Sequence, residues 1–356
     1  MATIKDVARV AKVSVGTVSN YLNGTTPVAD AKARRIRAAI DELGYQVDLA
    51  ARSLRVGATR TVGLLVPNIS NPFFGEIARG IEHALTEHGY QTFLCDSGDD
   101  PQREQAYLAN LASRRVDGVL VIYADQDADP GRLQDQVDVP LVYVDRGVPG
   151  RASVTMDNHL GGRLAARHLL ELGHERIGAM VGRPEVANVA ARLKGFREEL
   201  EAHGVALPPE RILTGRQTLA FGDEVERLIA LRDRPTAIFA TNDIVAVGAW
   251  LKATSLGLSV PGDLSLMGFD DIELARAIRP PLSTVAQDVP EMAQRAVARL
   301  LSLIPSEVAA AAAPHDAAPS NDVPIEPRLI VRGSTTRPAS PRRDQEREVT
   351  PLQKRR

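Results

Sequence analysis

Thr3-Ile4-Lys5-Asp6-Val7-Ala8-Arg9-Val10-Ala11-Lys12-Val13-Ser14-Val15-Gly16-Thr17-Val18-Ser19-Asn20-Tyr21-Leu22-Asn23 opens the chain with two short helical patterns around a tight turn. In the first, Ile4, Val7, Ala8 and Ala11 share one face, and Thr3 precedes Asp6 by three residues, the register of a capping box. In the second, Ser14 is the N-cap, and Val18 and Leu22 face inward. A third helix, opened by Asp30, carries Ile36, Ile40 and Leu43 on one face and stops at Gly44. Two short helices joined by a tight turn and supported by a third make a helix-turn-helix, whose second helix enters the major groove of duplex DNA.

Charge follows the same division. Through Arg60 the chain holds ten Lys/Arg against five Asp/Glu, whereas its total net charge is -2. Residues 337–356 hold seven basic and three acidic groups, so the long middle segment is acidic. A basic head gains affinity for DNA by releasing condensed counterions.

The 356 residues, 44% hydrophobic and 25% charged, allow two or three domains with a large core. A lone cysteine, Cys95, excludes an intramolecular disulfide and fits a reducing compartment. No apolar run resembles a signal peptide or reaches the roughly 20 residues needed to span a bilayer. A cytoplasmic protein, nucleoid-associated when bound and without a membrane partner, is expected. No strand is followed by G-x-G-x-x-G, and P-loop, G-x-S-x-G and H-E-x-x-H motifs are missing. The seven histidines are scattered, His174 reading as a turn cap after Gly173. Neither an enzyme, a metal site nor a cofactor is expected.

From Arg60 apolar runs alternate with helical patterns. Strands are predicted over 61–66, 91–96, 118–123, 141–145, 177–181, 236–241 and 264–269. Helices are predicted over 73–88, 101–114, 158–172, 189–203, 244–256 and 292–304, with a final strand over 329–332. Alternation of this kind argues parallel sheets covered on both faces, in two doubly wound lobes, with ligands at the carboxyl ends of the strands. The expected organisation is a helix-turn-helix domain over 1–46, a hinge helix and linker over 47–59, and a two-lobed α/β domain over 60–335. An Ala/Pro-rich insertion over 305–324 and a disordered basic tail over 336–356 complete it.

Those opening residues, together with Ala51-Arg52-Ser53-Leu54, Asn71-Pro72-Phe73-Phe74, Arg115-Val116-Asp117-Gly118, Leu172-Gly173-His174, Asn242-Asp243 and Gly268-Phe269-Asp270-Asp271, resemble the lactose-repressor (LacI/GalR) family of bacterial transcription regulators. The similarity spans residues 2–335. It implies a periplasmic-binding-protein-like effector domain, a homodimer or dimer of dimers on a palindromic operator, and a sequence-specific regulator, expected to repress. A carbohydrate-binding protein of periplasmic type is the alternative; it leaves the basic helix-turn-helix unexplained.

By that resemblance Val15, Gly16 and Asn20 point at base edges. Asn20 pairs best with adenine, and Val15 can touch a thymine methyl. Ser14, Thr17, Ser19 and Asn23 suit phosphates, which position without specifying. Lys12 replaces a glycine common in the family's turn. The resemblance also pairs two hinge helices in the minor groove, where Leu54, beside Arg52, wedges into the central base step.

Strand ends supply the effector candidates: Asn71, Phe73 and Phe74 after the first strand, then Asp145-Arg146, Asn242-Asp243 and Asp270, with Gln287 in a crossover. The resemblance adds Arg192, an arginine the family turns into the cleft. Aromatic rings beside carboxylates, amides and guanidinium groups suit a sugar, and the combination resembles pentose binders of the superfamily. Where relatives carry an aromatic residue within 214–221, Arg216 or Gln217 falls here, with Phe221 offset. Effector binding is expected to close the lobes, alter hinge spacing in the dimer, and so tune the grip on DNA.

Overall fold

In the first of the chain's two units, which divide between Thr59 and Arg60, a three-helix core forms as the apolar spacing predicts. The computed structural model describes residues 2–23, 26–45, 58–124, 133, 135, 137–305 and 323–339. Helices α1 (Ile4–Val10), α2 (Val15–Asn23) and α3 (Asp30–Leu43) bury Val7, Val18 and Ile36 completely. Each such side chain contributes about 1.5–3 kcal/mol through burial. Both halves of the Thr3/Asp6 capping box are made, and Gly44 ends α3 in the left-handed conformation at φ 56°. Asp30 is the first helical residue of α3 rather than its cap, which is Ala29.

The second unit contains two sheets. The first has strand order β2-β1-β3-β4-β5, formed by β1 (Thr61–Val66), β2 (Gln91–Asp96), β3 (Gly118–Val121), β4 (Leu141–Asp145) and β5 (Ser153–Thr155), all parallel. The second has order β11-β10-β9-β8-β6-β7. Its strands are β6 (Ile177–Val181), β7 (Ile212–Thr214), β8 (Ala237–Ala240), β9 (Ser265–Asp270), β10 (Ser283–Ala286) and β11 (Arg328–Ile330). Among the described strands only β11 runs antiparallel to its neighbour.

Helices α4 (Pro72–Glu87) and α5 (Pro101–Ser113) follow β1 and β2. Helices α6 (Asn158–Glu171), α7 (Ala187–Ala202), α8 (Val225–Ile229), α9 (Asp243–Ser255) and α10 (Glu273–Ala277) belong to the second lobe. Helix α11 (Val289–Leu303) follows β10 but returns to pack on β3, β4 and α4 of the first lobe. The chain therefore crosses between lobes near Met156, again at Gln287-Asp288, and a third time near Ile325, which pairs with Met156. Every residue of β3, β4, β6, β8 and β9 is buried, the mark of strands covered on both faces.

The predicted hinge over 47–59, with Arg52 and Leu54, falls outside the described residues except for 58 and 59. So do most of the 305–324 insertion and residues 340–356. Among the described residues, no helix is long and apolar enough to cross a membrane.

Candidate functional site

Helix α2 seals its inner face on the small core through Val18, while Val15 remains 41% exposed. The Ser14 hydroxyl accepts from the Thr17 amide at 3.1 Å and pairs with the Thr17 hydroxyl at 2.8 Å. These two side chains therefore build the helix start, whatever they also meet outside it. A Cβ on Gly16 would find only the Ser14 hydroxyl within 4 Å, so the fold itself does not demand glycine there. Glycine inside a helix costs about 0.5–1 kcal/mol relative to alanine, which suits a surface that another backbone or base must approach closely. Lys12 adopts φ 51°, the left-handed conformation that makes lysine costlier than glycine in this turn. Of Asn23, only its place at the end of α2 is described.

In the second unit, Arg192 on α7 is the centre of a buried polar cluster and is itself 4% exposed. Its Nε donates to Asn158 Oδ1 at 2.7 Å. Its Nη1 donates to the Thr241 carbonyl at 2.7 Å and to Asp270 Oδ1 at 3.2 Å. The guanidinium lies 3.7 Å over the Phe269 ring. Gln287 Nε2 donates to the same Asp270 oxygen at 2.7 Å. Opposite, on the first lobe, Arg146 donates to the Tyr123 carbonyl and pairs with Asp145 at 3.9 Å. Asn188 on α7 reaches across to donate to the Asp145 carbonyl at 3.0 Å.

Strand ends place these groups, and the backbone there is strained. Asp145 has φ 65° and Asp270 φ 113°, conformations that non-glycine residues rarely adopt. Such strain, of order 1–3 kcal/mol each, persists where surrounding structure over-determines it, commonly at ligand sites. Asp145 Oδ1, Arg146 Nε and Asn242 Nδ2 line the cleft buried without a hydrogen-bond partner among the described residues, and Gln287 Oε1, behind Asp270, is in the same condition. A buried polar group left unpaired costs about 1–3 kcal/mol, so this cleft is built to be completed by something polar.

Two adjoining cavities fill the cleft. The inner one is lined by Asn71, Phe73, Asp145, Arg146, Arg192, Asn242 and Asp270 with Gln217. The outer one takes in Asn68, Phe74, Asp99, Arg183 and Arg216, sharing Asn71, Arg146 and Gln217. Each offers about 20 Å³, room for a single water, so the lobes must part to admit anything larger. A broader groove of about 1100 Å³ runs beside it between α4 and α10, lined by carboxylates and guanidinium groups of both signs. The cleft, with its unpaired buried atoms at strand ends, is the better binding site; the groove is open surface that shares only Asp270 with it.

The sequence-derived set thus converges, with two exceptions. Asp243 lines neither cavity: its carboxylate accepts from the Thr284 hydroxyl at 2.6 Å and the Ile272 amide at 3.0 Å, tying α9 to β10 and to the turn that follows β9. Gln287 stands behind Asp270 and faces the neighbouring groove, acting through the carboxylate it holds. Phe221 lies in the core behind Gly215, and Gln217 occupies the cleft position instead. Sequence reasoning missed Asn158, Arg183 and Asn188. Arg183, just past the end of β6, was open to the same strand-end rule that selected Asp145. His174 bridges the Thr236 hydroxyl and the Thr336 carbonyl and is structural.

Burial pushes the Asp270 carboxyl up to about 7, against the pull of Arg192 and Gln287. Asp145 and Asp243 are also raised, again chiefly by burial. A carboxyl whose folded-state pKa lies above its unfolded value favours the fold in its protonated form. That contribution is complete below the unfolded value near 3.8 and is lost as pH rises through about 7. Asp270→Asn should therefore flatten the decline in unfolding free energy between pH 6 and pH 8. Denaturant titrations of both proteins across that range test this; parallel curves would remove Asp270 as the titrating group.

Comparison with known proteins agrees with this layout. Residues 3–48 match the model for bacterial regulatory proteins of the lacI family, and residues 166–335 the periplasmic binding protein-like domain. The HTH-type transcriptional repressor PurR of Aliivibrio salmonicida is 38% identical over 308 residues, covering 85% of this chain and 92% of the relative. Among solved structures, the lac repressor dimer bound to operator and the anti-inducer ONPF superposes with TM-score 0.80 at 25% identity, covering 94% of this chain and 99% of that one. A regulator of the same family from Enterococcus faecium with bound ribose gives TM-score 0.65 at 31% identity, covering 78% and 99%.

Proposed function

The chain belongs to the LacI family of bacterial regulatory proteins, DNA-binding repressors rather than enzymes, and from that premise we propose that it represses transcription as a homodimer on a palindromic operator in the cytoplasm. A small sugar-like effector, a pentose or a close relative, held between the lobes tunes its grip. The observation that carries the regulatory reading is α2: sealed inward by Val18, it leaves Val15 and an unforced Gly16 outside on a basic unit. The sugar reading rests on the unpaired Asp145, Arg146 and Asn242 atoms beside Phe73, a set able to meet adjacent hydroxyls while a ring covers a C–H face. The relative solved with bound ribose superposes on this chain with TM-score 0.65, which supports the reading.

Fluorescence anisotropy on a palindromic duplex with a central CpG step, at modest ionic strength, tests the first part. Asn20→Ala should weaken operator binding by about 1–3 kcal/mol, the value of a good side-chain-to-base pair, and relax preference at one base pair of each half-site. Leu54→Ala should weaken operator binding without altering effector affinity. A monomeric protein indifferent to every duplex offered ends the reading. A thermal-shift screen against pentoses, hexoses, polyols and nucleosides tests the second part; a response to nucleosides alone replaces the sugar assignment.

A further inference from the structure

Side chains, as well as the crossing segments, tie the two lobes together across the cleft. Arg183, just past the end of β6, uses all three nitrogens of its guanidinium group. Its Nε donates to Glu185 on its own lobe at 3.2 Å, which sets the direction of the fork. Nη2 donates to the Ala124 carbonyl of the first lobe at 3.3 Å, and Nη1 pairs with Asp99 of that lobe at 3.5 Å. Asp99 is itself held in place. Its amide donates to the Pro67 carbonyl, and its carboxylate accepts from Asn68 Nδ2 at 3.3 Å. The backbone there has φ 62°, a conformation that a non-glycine residue keeps only where its surroundings impose it. Two further ties cross the cleft. Asn188 Nδ2 donates to the Asp145 carbonyl at 3.0 Å, and the Glu273 amide at the start of α10 donates to Glu76 Oε1 on α4 at 3.1 Å.

Asp99 and Arg183 line the outer cavity and not the inner one, so they stand at the mouth of the cleft. Their side chains are 22% and 27% exposed. An ion pair so placed is weakened by solvent and salt, yet it is strong enough to shift an equilibrium between two lobe arrangements. None of these ties needs a bound molecule. Each must break before the lobes can part to admit anything larger than a water. We infer that the Asp99–Arg183 pair is a latch that holds the lobes shut without effector and makes opening of the cleft sensitive to ionic strength. The empty chain then meets DNA with its lobes already together, and an effector adds to closure rather than starting it. This goes beyond the regulatory reading above and does not depend on which molecule the cleft takes.

Hydrogen exchange read by mass spectrometry on the full chain, with no small molecule added, tests the latch. Rates are taken relative to residues 163–171 of α6, which lie on one lobe. In Asp99→Asn, and separately in Arg183→Gln, the Glu273 amide and residues 144–147 and 186–189 should exchange about twofold to fivefold faster, the range for a partly exposed ion pair. The double variant should be no faster than Arg183→Gln alone, because both changes remove the same pair. Raising KCl from about 0.05 M to about 0.5 M should quicken the same segments in the wild type but not in Asp99→Asn. Glu185→Gln removes only the partner on Arg183's own lobe and should not quicken them. Faster exchange confined to 97–100 or 182–185 would mean local loosening and overturns the latch. So do a Glu273 amide indifferent to salt and to both variants, and wild-type cleft segments that already exchange as fast as open loops.

Discussion

Arg192→Met is expected to abolish the effector-induced thermal shift and to cost the second unit about 3–5 kcal/mol, the loss seen when one partner of a buried ion pair is removed. Methionine can fill the volume against Phe269, so packing is largely kept and the deficit is polar. The Thr241 carbonyl, Asn158 Oδ1 and Asp270 Oδ1 each lose a donor at once. Asp270 would then sit buried near Asp145 and Asp243 with only the Gln287 amide in support. Its carboxyl, already near 7, escapes part of the penalty by taking up a proton, which places the cost toward the lower end at acidic pH. Arg192→Lys keeps the charge but not the planar fork, and should recover stability better than binding. Denaturant unfolding at pH 6 and pH 8 beside calorimetric titration separates the two effects. Stability within 1 kcal/mol of the wild type would show that Arg192 is not the keystone of the cleft.

Gly195→Ala is the second large expectation, and it acts through backbone rather than charge. A Cβ on Gly195 would fall well inside van der Waals contact of the His159 carbonyl, and one on Gly162 inside that of the Arg192 carbonyl. Helices α6 and α7 therefore meet backbone to backbone through this glycine pair. A flexible side chain can swing away from a new methyl group; a helical carbonyl cannot. Overpacking ordinarily costs about 1–3 kcal/mol, and a rigid backbone neighbour puts this case at or above the upper end. For a unit of this size each kcal/mol lowers Tm by about 2–4 °C, so a drop of roughly 6–12 °C is expected. Asn158 and Arg192 ride on the two helices forced apart, so effector affinity should fall with stability. Lys194→Ala, on the exposed side of the same helix, should leave Tm within about 2 °C. A Gly195→Ala protein as stable as that control would mean the helices can separate freely.

The residues that fix the first unit are near one another in sequence, which is why they could be read without coordinates. Thr3 and Asp6 close their own capping box, Ser14 caps its own helix, and Gly44 terminates α3. The α/β alternation was readable for a different reason. Strands buried on both faces need continuous apolar runs, as in Leu141–Asp145 and Ile177–Val181, both predicted with their observed ends. The short strands Ser153–Thr155, Ile212–Thr214 and Ser283–Ala286 carry no such run and were not predicted. Their pairing partners, rather than their own residues, make them strands.

The cleft shows where reading ended. Asn242 and Asp243 are consecutive, yet one presents its amide to the cavity while the other turns beneath the floor to bind Thr284. Nothing local distinguishes them, because the direction of each side chain is set by β9 and β10 packing against α9. Asn158 reads as an ordinary helix start until folding brings it to Arg192, 34 residues away. The sequence by itself determined the element types, the basic reading head and the strand ends where ligand groups gather, since caps, turns and apolar periods are short-range. Only the tertiary structure decided which polar atoms are left unpaired, where the backbone is strained and which side chains tie one lobe to the other. Those properties depend on burial and on distances between residues far apart along the chain.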